Sequence, residues 1–288
     1  VKAFVPDYEM KTPENLTAAL QILAKNPGEW KLFAGGTDLM VVFETGKLAH
    51  KKFLNINSIP ELKDFVVNEE DILIGGGCTY TQIQNHALIQ REFPLLVHSG
   101  EVTGAVAIQN RGTIGGNIAN MSPAADTPPS LLAYDADLIL LSTSGYRVMS
   151  YKYFHKDYKK ADLKPEEIII AVRLRRHQGM THSYYRKVGT RSAQAISKVC
   201  LAGVACVHRG QRIEWIHLGI GSVGPIPMRA TKTETFLNEK EISVANIEEA
   251  RKILLSEITP IDDIRSVADY RRLVAGNLLV EFLEGLKT

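Results

Sequence analysis

Two pairs of glycines, each fed by an apolar run and followed at once by small polar side chains, limit what this chain can build. KLFAGGTDLM (31–40) carries Gly35 and Gly36 into Thr37 and Asp38, and TIGGNIANMSPAAD (113–126) sets Gly115 and Gly116 between Thr113 and Asn117. Glycines stand in place of core side chains where main chain must approach something closely or turn with positive φ. Taken alone, either pair reads as well as a tight turn. Together they read as two anion cradles. Successive backbone N–H groups in such turns point into one concavity, and Thr and Asn side chains add hydrogen-bonding groups without charge. In the second loop the donors would be the amides of Ile114 to Gly116 and the Asn117 carboxamide. Two such loops on separate segments suit a diphosphate held between them.

The commoner nucleotide devices are missing. GIGSVG (219–224) matches the dinucleotide fingerprint letter for letter, but Pro225, Ile226 and Pro227 follow where a helix should begin. Prolines so spaced cannot sit in a helix interior, so this stretch reads as a strand running into a loop. No P-loop, H-E-x-x-H or paired Cys-x-x-Cys occurs, and His50, His86, His98 and the other histidines show no ligand spacing. They read as surface or ordinary polar-contact residues. A net charge of +2 gives neither a nucleic-acid footprint nor a polybasic membrane patch. No apolar run reaches the roughly 18 residues of a membrane span. VKAFVPDYEM has no basic-then-apolar signal layout, and Cys78, Cys200 and Cys206 are too few and scattered for a disulfide framework. Buried thiols in a reducing compartment, the cytoplasm, are the expectation.

At 288 residues the chain has room for one large domain or two to three smaller ones. The spacing predicts a helix over TPENLTAALQILAKN with Thr12 as cap and Pro13 at the first helical position. KLFAGG, KKFLNINSI and DILIGGG read as strands, TDLMVVFETG as a turn and helix, and YTQIQNHALI as a helix capped at Thr79 or Thr81. DADLILLS and YRVMSYKYF form a strand pair, and EEIIIAVRLR a strand of branched residues. From about residue 177, HSYYRKVG, ISKVCLAGVACVHRG and RIEWIHLGIGSVG make a strand-rich sheet, followed by helices over VANIEEARKILLSEI and SVADYRRLVAGNLLVEFLEGL. The expected organisation is α+β, in three parts: 1–57, 58–176 and 177–288.

Two further groups bear on chemistry. Asp126, in SPAADTPP, can accept hydrogen bonds from sugar or ribityl hydroxyls, or cap the helix of TPPSLLAY. Tyr185 and Lys187 share a face if their segment is extended, and an aromatic–cation pair there could meet a flat ring and its electronegative edge. A solvated basic stretch with Arg191 is the plainer alternative.

AGGTDL (34–39), TIGGNIAN (113–120), PAAD (123–126), YRKVGTR (185–191), ISKV (196–199) and the GxGSVGPIPMRA run (219–230) occur in that order. Together with the YRRLVAGNLL helix they resemble the FAD-binding medium subunit of the molybdenum hydroxylases, the xanthine dehydrogenase and carbon monoxide dehydrogenase family, over nearly the whole chain. The resemblance implies a two-part FAD-binding region of the vanillyl-alcohol oxidase type followed by a C-terminal α+β domain. It implies that Leu32, Phe33, Ala34, Gly35, Gly36, Thr37, Asp38 and Leu39, with Thr113, Ile114, Gly115, Gly116 and Asn117, wrap the FAD diphosphate. Asp126 would bind the flavin nucleotide, Ile169 would line the pocket, and Lys187 would lie near the isoalloxazine. The position of the aromatic residue that packs on the flavin in larger relatives holds Thr103 here, which leaves Tyr185 as the candidate cover. FAD would be the only cofactor on this chain. The molybdenum cofactor and [2Fe–2S] clusters would sit on large and small partner subunits, with NAD⁺ or another carrier as electron acceptor. A stand-alone flavoenzyme of similar fold and a non-redox scaffold are the alternatives.

Overall fold

The computed structural model of the chain describes residues 7–176, 182–192, 194–208 and 212–287. The expected boundary at residue 177, like residues 1–6, lies outside that set.

The N-terminal part is a small parallel sheet, ordered β1 (Glu9–Lys11), β3 (Lys52–Asn55), β2 (Lys31–Phe33), with α1 (Leu16–Lys25) crossing between β1 and β2. Helix α1 is apolar at Ala19, Leu20 and Leu23, which meet Trp30, Leu54, Ile59 and Leu62 in a core of their own. Its cap is Asn15, whose side chain accepts from Ala18 N at 2.9 Å, and not Thr12. The short helix α2 (Leu39–Glu44) leaves β2 through the first glycine pair and buries none of its residues.

The second part is an antiparallel sheet ordered β4 (Phe65–Val67), β5 (Asp71–Gly75), β10 (Ile168–Arg175), β6 (Asp137–Ser142), β7 (Gly145–Ser150). Between β5 and β6 the chain builds short helices: α3 (Tyr80–Gln84), α4 (Ala87–Glu92), α5 (Pro94–Glu101), α6 (Val106–Gln109), α7 (Ile114–Ala119) and α8 (Thr127–Ala133). The helix expected over YTQIQNHALI is two helices broken at Asn85–His86, the first closed by a reciprocal Thr79–Gln82 capping box. Beyond β7 a narrow ribbon, β8 (His155–Asp157) with β9 (Lys160–Ala161), turns at Lys159, whose φ is 56°.

The third part pairs β11 (His182–Val188), β12 (Val199–His208), β13 (Arg212–Gly221) and β14 (Met228–Arg229) antiparallel, followed by α9 (Thr231–Leu237), α10 (Val244–Glu257) and α11 (Ala268–Gly285). Strand β12 is covered on both sides, and the two-residue period of a strand sorts its side chains between two cores. Val199, Leu201 and Ala205 join the core built on α10 and α11, while Cys200, Ala202 and Val204 join the core of the second part. Helix α8 lies on that second face, against β13. Glycine is required at 219 because a Cβ there would collide with the Pro129 carbonyl of α8.

His155 is buried rather than superficial; its Nε2 lies 2.9 Å from the Tyr151 hydroxyl.

Gly219→Val should destabilise the protein by about 1–3 kcal/mol or more through overpacking, read as a fall in the thermal midpoint. Burial holds the His155 pKa at about 4, below its ordinary 6.5. The unfolded chain therefore takes up this proton first as pH falls, and stability present above pH 6.5 drains between pH 6.5 and 4. Urea midpoints at pH 7 and pH 4.5 should differ less in His155→Gln than in the parent.

Candidate functional site

The two glycine loops meet. A Cβ on Gly35 would strike the Arg111 carbonyl and lie 3.1 Å from Gly112 Cα, so the first loop rests on the main chain that leads into Thr113. Gly36 turns with φ 75°, and its Cα side is closed by the Phe33 ring. Phe33 is itself set edge-on to Phe53, 6.5 Å between centroids. Beyond Gly36 the chain enters α2, where Met40 N donates to Gly36 O at 2.9 Å. The five amides before it, Gly35 to Leu39, have no acceptor among the described residues. Asp38 stands at the α2 N-cap without a side-chain capping bond. These N–H groups stand open, next to one another in the chain.

The second loop is built differently. Thr113 caps α7, its Oγ1 accepting from Gly116 N at 3.1 Å. Ile114 N donates to Cys78 O at 3.0 Å, Gly115 N to Gly76 O at 2.8 Å and Asn117 N to Thr113 O at 2.9 Å. The amides of Ile114 to Gly116 are thus spent inside the protein, and the expectation that they serve as free donors is corrected. Gly115 is bare because its Cβ would lie 2.6 Å from Gly76 O. Gly76 in turn excludes a Cβ because the Ile169 carbonyl lies against it, and its N–H donates to Ile170 O at 2.8 Å. Ile169 therefore joins the site through its main chain, its side chain being buried in the core. What stays open in this loop is Gly116, exposed and with only Thr113 Oγ1 near its missing Cβ, at 2.8 Å. Beside it the Asn117 Oδ1 is buried and has no hydrogen-bond partner among the described residues.

Asp126 is 8% exposed and both its carboxylate oxygens are taken. Lys187 Nζ donates to Oδ2 at 2.7 Å and to Val102 O at 2.9 Å; Ser197 Oγ donates to Oδ1 at 2.9 Å. Burial pushes the Asp126 carboxyl up from its ordinary value, against the downward pull of Lys187 and Ser197. Asp126 also precedes α8 as its N-cap residue but makes no side-chain capping bond, because the carboxylate is turned to Lys187. Tyr185 and Lys187 do share a face of β11. Yet Tyr185 offers no open ring: it is 8% exposed, its hydroxyl donates to Asp126 O at 3.0 Å, and His98 lies 5.2 Å away across the ring. The expectation that it covers a ligand is corrected to a prop for Asp126.

Four residues outside the expected set complete the place. Tyr80 is buried, its hydroxyl accepting from Thr127 Oγ1 at 3.4 Å beside the Asn117 carboxamide, and burial pushes its pKa up. Lys159, at the tip of the β8–β9 ribbon, donates to Asn120 O at 2.6 Å and feels Asp38; burial lowers its pKa. Gly76 and Ser197 are the others. A triple glycine in DILIGGG was a readable signal for Gly76; a lone Tyr, Ser or Lys carried none.

Known proteins share this architecture. The family described as the FAD binding domain in molybdopterin dehydrogenase matches residues 6–175, and the CO dehydrogenase flavoprotein C-terminal domain matches residues 183–286. The glyceraldehyde dehydrogenase medium chain of Sulfolobus acidocaldarius is 29% identical over 94% of this chain and 95% of its own. The xanthine dehydrogenase FAD-binding subunit of Escherichia coli O157:H7 is 28% identical over 89% of this chain and 88% of its own. Among solved structures, carbon monoxide dehydrogenase from Hydrogenophaga pseudoflava superposes with a TM-score of 0.93 at 24% identity, covering 98% of this chain and 97% of that one, a likeness of fold.

Gly115→Ala should destabilise the protein by about 1–3 kcal/mol, since backbone stands in the way. Gly116→Ala meets a single side-chain oxygen, that of the capping Thr113, and should cost about 1 kcal/mol or less, alanine's better helix propensity offsetting part of the loosened cap. Thermal melts of the two variants check the contrast.

Proposed function

This chain belongs to the FAD-binding subunits of the molybdopterin dehydrogenases, and on that footing we propose that it is the electron relay of a multi-subunit molybdenum hydroxylase. It takes electrons from [2Fe–2S] clusters on a small partner subunit, which drain a molybdopterin centre on a large one. It passes them on to NAD⁺ or another acceptor. When bound, FAD supplies a centre that takes up electrons singly and releases them as a pair.

The observation that carries this reading is the run of open amides from Gly35 to Leu39, resting on the Arg111–Gly112 main chain that leads to Gly116 and Asn117. The amides and the Thr37 hydroxyl would hold one side of the diphosphate, and the bare Gly116 would admit it on the other. Lys159, held by Asn120 three residues beyond Asn117, would add a positive charge to this side. The unpartnered Asn117 Oδ1 is an acceptor, so it suits a hydroxyl of the ribityl or ribose chain and not a phosphate oxygen. Leu32, Phe33, Ala34, Leu39, Ile114 and Ile169 shape the walls around these polar groups, and Thr113 holds Gly116. Asp38, at the α2 N-cap, stands within the run of open amides.

Lys187 and Asp126 would stand at the reactive end. Both are nearly enclosed, with side chains 9% and 10% exposed. Their closeness would keep a cation beside the ring without leaving a net charge in a dry site, and Tyr185 fixes the Asp126 main chain. Among the described residues no group of three or more His, Cys, Asp or Glu could hold a metal ion. No side chain here needs to act as a nucleophile, which fits a subunit that moves electrons only.

The full-length chain should purify with, or take up, one FAD, seen as flavin absorbance bands. From its native source it should come with a large and a small partner. Gly116→Asp should lose FAD by about a hundredfold, well beyond any loss in Gly116→Ala, because it sets a carboxylate against the diphosphate. A chain that takes up no flavin, or a variant that keeps it at full occupancy, would overturn the assignment.

A further inference from the structure

The buried polar groups around Asp126 do not end at Ser197. Ser197 is 1% exposed, and its carbonyl accepts from Ser222 Oγ at 3.0 Å. Ser222 lies in the GSVG loop that follows β13, at φ 64°, and its N–H donates to Pro123 O at 2.9 Å, three residues before Asp126. The Ser222 carbonyl accepts from Arg271 Nη1 at 3.0 Å, and the same Nη1 donates to Lys198 O at 2.8 Å. Arg271, on α11, is 4% exposed and anchored by Nη2 to Asp263 Oδ1 at 2.7 Å. Asp263 is held in turn by the amides of Arg265 and Ser266, at 2.8 and 3.1 Å. A continuous hydrogen-bonded path thus runs from the C-terminal helix to both the carboxylate and the main chain of the Asp126 segment.

We propose that Arg271 is a positioning residue for the flavin site. By gripping the Lys198 and Ser222 carbonyls it fixes the Ser197 hydroxyl on Asp126, and with it the aim of the Asp126–Lys187 pair. The inference rests on the assignment of FAD to this cleft. Its physical basis is that an arginine enclosed at such cost to its hydration has its donors aimed at two loop carbonyls instead of a second carboxylate. A guanidinium placed only to stabilise α11 would not need to reach both loops that frame Asp126. The path also accounts for the serine of the GSVG loop, which links Arg271 to Ser197. Buried networks of this kind act as a unit, so deleting any member should loosen the rest.

The test uses the full-length chain and FAD itself. Arg271→Gln and Ser197→Ala should each weaken FAD binding roughly tenfold or more, the scale of a hydrogen bond to a charged group. Each should also shift the midpoint potential of the bound flavin and its visible circular dichroism, which a loss of fold stability alone would not move. The double variant should be no worse than the poorer single one, because both act through the same hydroxyl. Arg271→Lys, which keeps a donor, should recover part of the loss. Arg272→Gln, exposed one residue along, should behave as the parent.

A folded Arg271→Gln with parental affinity and potential, or effects that add fully in the double variant, would overturn the proposal. Should Arg271→Gln fail to fold, Ser222→Ala removes a single hydroxyl and decides by the same affinity, potential and additivity. A parent chain that takes up no FAD would defeat the functional assignment itself, a result distinct from a parent that binds and variants that bind equally.

Discussion

The contact between Gly115 and Gly76 holds this molecule's working region together. Main chain lies directly on main chain, the Gly115 amide giving its proton to the Gly76 carbonyl at 2.8 Å, while Gly76 is itself pressed against Ile169. Three segments far apart in the chain are thereby stacked without side chains between them: the end of β5, the start of α7 and the bulged beginning of β10. Such stacking satisfies buried polar groups that would otherwise cost free energy to enclose. It also fixes the start of α7, where Gly116 stays exposed. Main chain packed on main chain in this way has little freedom to repack.

The Asp126–Lys187 pair follows a different logic. Enclosing two opposite charges is expensive, and their attraction offsets the lost hydration only where geometry is good and the remaining hydrogen-bonding capacity is used. Here it is used: Ser197 takes the second carboxylate oxygen and Val102 O takes a second lysine proton. The pair contributes little net stability by this account and is better understood as a device for specifying local charge. Strands β11 and β12 carry it because residues two apart on β11 reach the same side, bringing Tyr185 and Lys187 together to the Asp126 segment.

Much of this was legible from residue order. Three consecutive apolar runs after residue 177 gave the antiparallel β11–β12–β13 sheet, and prolines after GIGSVG correctly excluded a nucleotide-binding helix. The convergence of the glycine loops was legible too. What each glycine touches was not, because the partner of Gly115 is another glycine 39 positions earlier and nothing local distinguishes contact with backbone from contact with a ligand. The same limit explains Tyr185. An aromatic beside a lysine on a strand has the same local pattern whether its ring meets a ligand or, as here, a histidine from α5. Ser197, Lys159 and Arg271 act through tertiary neighbours alone, so their roles appear only once the chain is folded. Asn15 in place of Thr12 is a smaller matter: both have capping chemistry, and the helix begins where Leu16 first finds its core.

Strand β12 deals its side chains alternately to two cores, and α8 lies flat on β13. The two halves by which relatives are classified are consequently not interchangeable modules. A C-terminal half exchanged without α8 would leave one face of its sheet bare, so the packing unit of this protein cuts across the boundary at which its sequence divides.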